Sequence, residues 1–373
     1  MKKITIITMQ LKTPGGIERF VSTLAEMFAD DFEVELVANY GKDSDVLAFP
    51  LSKKVKVNFL TPDQPKEVSM KNLVANLKWS KIPGELKRRK KINGTRNRAF
   101  NTFLKNLQTD YIITDRALYN SLVSKFYRGG AIKIATDHNY HQNDEHYIKE
   151  LLESISGFDH LVLATEELRA FYATKTSVKC HAIQNPLEYI PTKKSDLSTK
   201  NLVSVGRFVP EKDFESLVDV MALVHEKEPD AKLTIIGDGV LMPQIKNRVA
   251  HLGLEDVVIL PGALSQKEIE KYFYDSALFV MTSRTEAFGL VLTEAMSYGL
   301  PCIAFDRASG ARNQINEKIG VLVKDADTEE MAKQIVELLG NQNELKTYQD
   351  NISDFISDYS KEQVKKSWFK IVH

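Results

Sequence analysis

The chain has 373 residues, 43% of them hydrophobic, with 50 Lys and Arg balanced by 50 Asp and Glu. That length accommodates two domains of ordinary globular character, and the lack of net charge gives no support for nucleic acid as a partner. The two cysteines, Cys180 and Cys302, lie far apart without ligand-type spacing, so neither a disulfide framework nor a zinc site is indicated, and a reducing cytoplasm fits.

The first element lies in MKKITIITMQLK. Its basic start and apolar run have the outline of a signal peptide, but Gln10 and Lys12 break the run and no small-x-small site follows, so 3–8 is read as a buried strand. TPGGIER comes next, with Gly15 and Gly16 directly before a helix pattern over 17–28. Backbone unshielded by side chains there admits a charged ligand, although a Gly-Gly pair alone is better read as a turn and helix start. Strands follow at 33–38 and 55–59.

Between Lys78 and Lys105 the chain holds ten Lys or Arg and one acid, Glu85, with Trp79, Ile82, Phe100, Phe103 and Leu104 interleaved. Many such runs are solvated, mobile insertions. The sharper expectation is a surface that rests on anionic lipid or helps to present a lipid-linked or anionic polymer acceptor. No apolar stretch approaches a membrane span, so any membrane contact is expected from the surface.

Further strands are expected at 111–114, 133–137, 160–164 and 179–183, with a helix over 118–126. At the end of the fifth strand, TDHNYHQ places His138 beside Asp137, with His141 and His146 nearby. Judged alone, His138 is as readily structural as ligand-binding, and the spacing fits no zinc pattern cleanly. The segment 185–201, rich in Pro, Ser, Thr and Lys, reads as a linker between a domain at 1–190 and a second at 191–354.

After it, NLVSVGR, AKLTIIGDG, VVILPG, ALFVMTS, PCIAFD and GVLVK alternate with helices at 214–226, 241–252, 266–274 and after 289. The tail from Glu329 is helical, and a last helix about 355–373 is expected to pack back on the first domain. Short buried strands alternating with helices predict an α/β protein of two Rossmann-like, doubly wound parallel-sheet domains. Ligands of such sheets lie beyond the C-terminal strand ends, where helix N-termini attract phosphate.

VGRFVPEKDF puts Arg207 just after a strand and Lys212 just before a helix. Two cations there suit a diphosphate, though alone they read as surface charges. In TEAFGLVLTEAMSYGLP, Glu286 falls in the loop, Gly289 and Leu290 start the helix and Glu294 lies one turn in, with Gly299 and Pro301 as stop signals. Complementing the helix dipole covers Glu294 poorly if it faces the strand ends, and does not explain Glu286.

Together, the GG near the N-terminus, the His after a mid-domain strand, G-R-x4-K and E-x-FGL-x3-EAM-x2-G-x-P resemble the family 4 retaining glycosyltransferases (glycosyltransferases group 1), across both domains. The resemblance implies the GT-B fold, with a cleft between the domains. It implies donor-diphosphate contacts from Arg207, Lys212 and the backbone around Phe288, Gly289 and Leu290. Ribose contact falls to Glu294, and the nucleobase region to Ala263 and Leu264. Catalytic positions are Glu286 beside the donor sugar and His138 near the reacting centre, while Gly15 and Gly16 face the donor phosphate and acceptor.

The implied reaction carries a hexose or N-acetylhexosamine from a nucleotide sugar, UDP-linked on family frequency with GDP as the alternative, to a hydroxyl of a growing cell-surface glycan. It needs no metal and no cofactor beyond the donor, and retains configuration by front-face displacement. One departure is Asn313 in RASGARNQI, where an acid is common. Three rivals stand beside this reading. A glycoside hydrolase leaves Arg207 and Lys212 unexplained. A non-catalytic GT-B partner subunit is expected to have lost these motifs, and a sugar-nucleotide epimerase could share the architecture.

Overall fold

The computed structural model describes residues 1–62, 82–324 and 327–372. They divide into a first unit, Met1–Ile183 joined by the chain from Trp368 onward, and a second, Gln184–Ser367. Among the described residues no helix is long and apolar enough to cross a membrane.

The first unit is built on a parallel sheet of β1 (Lys3–Thr8), β2 (Glu33–Tyr40), β3 (Val55–Thr61), β4 (Tyr111–Thr114), β5 (Ile132–Asp137), β6 (His160–Leu163) and β7 (Lys179–Ala182). The strands lie in the order β3-β2-β1-β4-β5-β6-β7, with Lys3 level with Glu33 and Ile4 with Tyr111. Ile4, Thr5, Ile6 and Ile7 of β1 are all fully buried. A strand covered on both faces needs a continuous apolar run rather than alternation, which is why these strands were legible in the sequence.

The covering helices are α1 (Gly16–Phe28), α2 (Ile82–Asn106), α3 (Ala117–Phe126), α4 (Glu145–Ser154) and α5 (Glu166–Ala173). The basic run is therefore no loose insertion from Ile82 onward. It is a helix of 25 residues whose C-terminal part buries Phe100 and Leu104, with Phe100 stacked on Tyr119 at 5.5 Å between ring centroids. Lys78, Trp79 and Lys81 of that run lie outside the described residues.

The second sheet contains β8 (Asn201–Val205), β9 (Lys232–Ile236), β10 (Val258–Gly262), β11 (Leu278–Met281), β12 (Cys302–Phe305) and β13 (Gly320–Val323), in the order β10-β9-β8-β11-β12-β13. Its helices are α6 (Phe214–Lys227), α7 (Met242–His251), α8 (Gln266–Tyr274), α9 (Leu290–Ser297), α10 (Ser309–Gln314), α11 (Thr328–Leu339) and α12 (Gln342–Ser357). A final helix, α13 (Lys361–Val372), ends in the first unit, where the buried Trp368 meets Phe28 edge-on at 5.8 Å.

The segment read as a linker is instead strapped to the second unit. Ser195 donates its N–H to the Tyr298 carbonyl (2.9 Å) and its hydroxyl to the Ser276 carbonyl (2.7 Å). Lys194 Nζ reaches the Ser297 carbonyl at 2.7 Å, and Gln349 Nε2 the Ser195 carbonyl at 2.8 Å. The division accordingly falls after Ile183 rather than at 190. Composition signals the absence of helix or strand, but not whether irregular backbone finds partners on a neighbouring surface.

Each sheet reverses its strand order once, between β1 and β4 and between β8 and β11. The loops that leave these four strands therefore occupy the two places where open parallel sheets gather ligands.

Candidate functional site

In the second unit, β8 and β11 run side by side, Leu202 level with Leu278 and Val203 with Phe279. The loop after β8 is tied to the Gly237-Asp238-Gly239 turn: Gly206 donates to the Ile236 carbonyl and Phe208 to the Asp238 carbonyl, each at 2.9 Å. A Cβ at Gly237 would come within 1.9 Å of the Gly206 oxygen, and one at Gly239 within 2.6 Å of the Phe208 oxygen. These glycines let two strand-end loops touch backbone to backbone.

Asp213 then holds the far end of the loop in a left-handed conformation, φ 50°. Its buried carboxylate accepts from Arg284 Nη2 at 3.1 Å and from Arg307 Nη2. Burial alone would raise its pKa, but the two guanidinium bonds outweigh that and hold the group below the usual carboxylate range. Thr282 donates its hydroxyl to the carbonyls of Lys212 (3.2 Å) and Asp213 (3.0 Å), and Arg284 its N–H to that of Glu211 (2.8 Å). Lys212 is thus fixed at the backbone, and its Nζ forms a hydrogen-bonded ion pair with Glu286 Oε2, the two side chains 18% and 22% exposed.

Glu286 opens the loop that leads into α9. Its carbonyl accepts from the Gly310 N–H at 2.8 Å, and the next-but-one carbonyl, of Phe288, accepts from Gln314 Nε2. A Cβ at Gly310 would lie 2.5 Å from that Phe288 oxygen, so α10 is pressed against the Phe288-Gly289-Leu290 turn. Gly289, at φ 79°, caps α9, so the first N–H groups of that helix lie at this loop. Glu294, half-buried, lies one turn along α9, and Arg207 is exposed on the β8 loop.

Asn313, at the position where an acid is common, lies within α10. Its Nδ2 bonds the Ser309 carbonyl (2.8 Å) and hydroxyl (3.1 Å) within α10, and the neighbouring Gln314 makes the contact to the loop. Ala263 and Leu264 follow β10, the edge strand two positions from β8, where Ala263 is exposed and Ser265 caps α8.

In the first unit the corresponding junction joins the loop after β1 to Asp115 and Arg116 after β4. Gln10 Oε1 accepts from the N–H groups of Lys12 and Thr13 and its Nε2 donates to Glu18 Oε1, each at 2.8 Å. A Cβ on Gly15 would stand 2.4 Å from Glu18 Oε2, so this glycine makes room for a carboxylate whose pKa burial raises. Gly16 begins α1 and is exposed. Arg116 Nε bonds Asp115 Oδ1 at 3.1 Å, and Asp115 Oδ2 accepts from the Thr8 hydroxyl at 2.5 Å.

His138 lies 4.3 Å from the Phe20 ring, with Nε2 2.9 Å from Thr136 Oγ1. The single hydroxyl proton of Thr136 is directed at the Thr114 carbonyl, 3.0 Å away. Nε2–H therefore donates to Oγ1, which leaves Nδ1 as an acceptor. Burial, with the Arg116 charge added, pushes this imidazole down to about 3, so it is neutral at physiological pH. Asp137 beside it accepts from the Tyr147 hydroxyl at 2.5 Å and is pushed up to about 6 by burial. His141 stacks on Phe171 at 3.9 Å and accepts from the Asn143 N–H, a packing role. Among the described residues no three His, Cys, Asp or Glu side chains are grouped to hold a metal ion.

Residues 188–354 match the family of glycosyl transferases group 1. That match falls within the second unit.

The chain is 26% identical to an exopolysaccharide phosphotransferase of Streptomyces coelicolor over 98% of its own length and 40% of that protein. It is 27% identical to a poly(ribitol-phosphate) alpha-N-acetylglucosaminyltransferase of Staphylococcus aureus over 62% of its length and 49% of that one. It therefore spans less than half the length of these two relatives. A mutant of S. aureus TarM, crystallised with fondaparinux, alpha-GlcNAc-glycerol and UDP, matches it over the whole of both chains with a TM-score of 0.81 at 17% identity. That likeness is one of fold, the two Rossmann-like domains of GT-B.

Within the second unit, the structure brings Lys212, Glu286, Phe288, Gly289 and Leu290 to one strand junction and leaves Ala263 and Leu264 at the sheet edge. Sequence reasoning missed Asp213, Thr282, Arg284 and Arg307, which hold the Lys212 loop, and Arg116 in the first unit. Each lies just after a strand or just before a helix. That position was a usable signal, but the partners are up to 94 residues apart in sequence.

Proposed function

We propose that the protein is a retaining glycosyltransferase that moves a hexose or N-acetylhexosamine from a UDP-linked donor to a hydroxyl of a growing cell-surface glycan. The acceptor is lipid-linked or an anionic polymer, met in the cytoplasm at the inner face of the cell membrane, and no metal or cofactor takes part. The observation that carries this reading is the Lys212–Glu286 pair at the β8/β11 junction beside the start of α9. A fixed ammonium lies beside a helix N-terminus, with Arg207 exposed on the β8 loop, and a diphosphate would neutralise these charges. Relatives that act on exopolysaccharide and poly(ribitol phosphate), and TarM crystallised with UDP, support the substrate class.

On donor binding the diphosphate takes over Lys212, which frees Glu286 for the sugar hydroxyls, while Glu294 accepts from the ribose. The C1–O bond to phosphate then breaks as the acceptor oxygen bonds C1 on the same face. The departing diphosphate oxygen takes the acceptor proton, so no protein base is required. Cations and helix N–H groups stabilise the charge that develops on the leaving group. Neutral His138 serves as a hydrogen-bond acceptor for a sugar hydroxyl through Nδ1.

Thermal shift with UDP, UDP-glucose, UDP-N-acetylglucosamine and GDP-mannose, each with and without EDTA, tests the reading. At least one UDP compound should stabilise the protein regardless of chelator, and Glu294→Gln should blunt that response. No response to any nucleotide, or a response lost with EDTA, contradicts it. The anomeric configuration of the product, read by NMR, tests retention separately.

A further inference from the structure

Helix α2 turns one side into the first unit: Glu85, Phe100 and Leu104 are buried there, and Ile92, Arg96, Ala99 and Phe103 partly so. With about 3.6 residues per turn, Lys87, Lys91, Arg98 and Lys105 fall within roughly 40° of one another on the opposite side. Lys90 stands beside them, and all five are exposed. At about 1.5 Å rise per residue the stripe is roughly 27 Å long.

No acid interrupts it. Glu85, the single acid of the helix, lies on the buried side, where Arg88 donates from Nε at 2.6 Å and Nη2 at 2.8 Å, and Arg89 from Nε at 3.0 Å. Those bonds, Arg88 first, hold its carboxyl down to about 2, so it stays ionised and occupied. Among the described residues none of the five stripe cations forms an ion pair with an acid. Gly94, Thr95, Asn101 and Thr102 fill the spaces between them, and Leu86, 55% exposed, lies about a quarter turn away.

The stripe thus offers charge in a line without an apolar wedge, because the apolar side of α2 is already committed to the core. Helices that lie in a bilayer interface use an apolar face for it, which this one no longer has free. A hydrated linear polyanion needs only the charges, each of which releases counterions on contact. We propose that the outward face of α2 is a docking track for a phosphate-bearing linear polymer, and, resting on the transferase reading above, that this polymer is the acceptor chain. The track holds the chain by its backbone charge and not by any one sugar, so successive units can be presented without release.

The test titrates the full chain with inorganic polyphosphate over a salt series, and with phosphatidylcholine vesicles with and without phosphatidylglycerol. The triple variant Lys87→Glu, Lys91→Glu, Arg98→Glu is compared with wild type and with a charge-matched control, Lys227→Glu, Lys232→Glu, Lys246→Glu, on exposed positions of the second unit. Circular dichroism and the UDP thermal shift confirm that each variant is folded.

Five contacts predict a log affinity that falls against log salt with a slope of about −3 to −4, on the single-strand scale. The triple variant should lose about tenfold or more at low salt and about two units of slope, with the control unchanged. Equal polyphosphate binding by wild type and triple variant overturns the proposal. So does stripe-dependent binding to anionic vesicles without polyphosphate binding, which assigns the surface to a membrane. The UDP response in the same proteins keeps the two readings apart: its loss in wild type sinks the transferase assignment and leaves the track standing.

Discussion

Lys212→Ala and Glu286→Gln should move UDP binding in opposite directions. A hydrogen bond to a charged group is worth about 1.5–3 kcal/mol, which corresponds to a loss of roughly 10- to 150-fold in UDP affinity when the Lys212 ammonium is removed. The structure places the effect near the low end of that range. In the free protein Lys212 is already bonded to Glu286, so diphosphate replaces one anion with another rather than filling an empty position.

The same exchange predicts that Glu286→Gln binds UDP as well as wild type or a few-fold more tightly, since the carboxylate no longer competes for Lys212. It should, however, lose most of the preference for the UDP-sugar over UDP. Isothermal titration of UDP and the best UDP-sugar against wild type, both single variants and the double variant, at fixed ionic strength, reads all of this. In the double variant the UDP gain from Glu286→Gln should vanish, because there is no Lys212 left to release. Two results would refute the reasoning: UDP binding weakened as much by Glu286→Gln as by Lys212→Ala, or strictly additive effects in the double variant.

Asp213→Ala removes the carboxylate that Arg307 and Arg284 share and should cost about 3 kcal/mol. In a domain of this size that is a Tm lower by roughly 6–12 °C, with weaker UDP binding; a Tm within about 2 °C of wild type excludes the brace. Gly310→Ala should displace the Phe288 carbonyl and lower both stability and UDP affinity, because its Cβ would lie 2.5 Å from that oxygen; unchanged UDP affinity counts against the role of α10. Asp137, at about 6 in the folded protein, holds a proton there that the unfolded chain has already lost above about pH 4, so its contribution to stability falls as pH rises from about 4 to 6. Asp137→Asn should therefore gain on wild type by up to about 3 kcal/mol at pH 7 and by little at pH 4 in urea melts, and an equal gain at both pH values refutes that origin. The opposite pull of His138, which the unfolded chain protonates below about pH 6.5, is common to both proteins and cancels in the comparison.

Local patterns in the chain were sufficient for the strands. Runs such as Ile4 to Ile7 and Leu278 to Met281 are buried on both faces, and that demand leaves a signal within each strand. The helix start and stop around Gly289 and Gly299 were likewise legible, because backbone geometry restricts the residues there. Lys212, Glu286 and the Phe288–Leu290 turn were legible only as separate strand-end features, and it was the family resemblance that joined them into one group.

Tertiary structure alone decided what each of these residues touches. That Lys212 binds Glu286, that Arg307 reaches Asp213, and that Thr8 reaches Asp115 follow from a strand order that sets β8 beside β11, β11 beside β12 and β1 beside β4. The same holds for the segment after Ile183, whose composition reads as a free linker although its carbonyls and N–H groups are bonded to the second unit. Periodicity and turn chemistry are properties of neighbours along the chain and can be read from it. Ion pairs between residues 74 and 94 positions apart depend on which strands become neighbours, and that is settled only when the whole sheet closes its core.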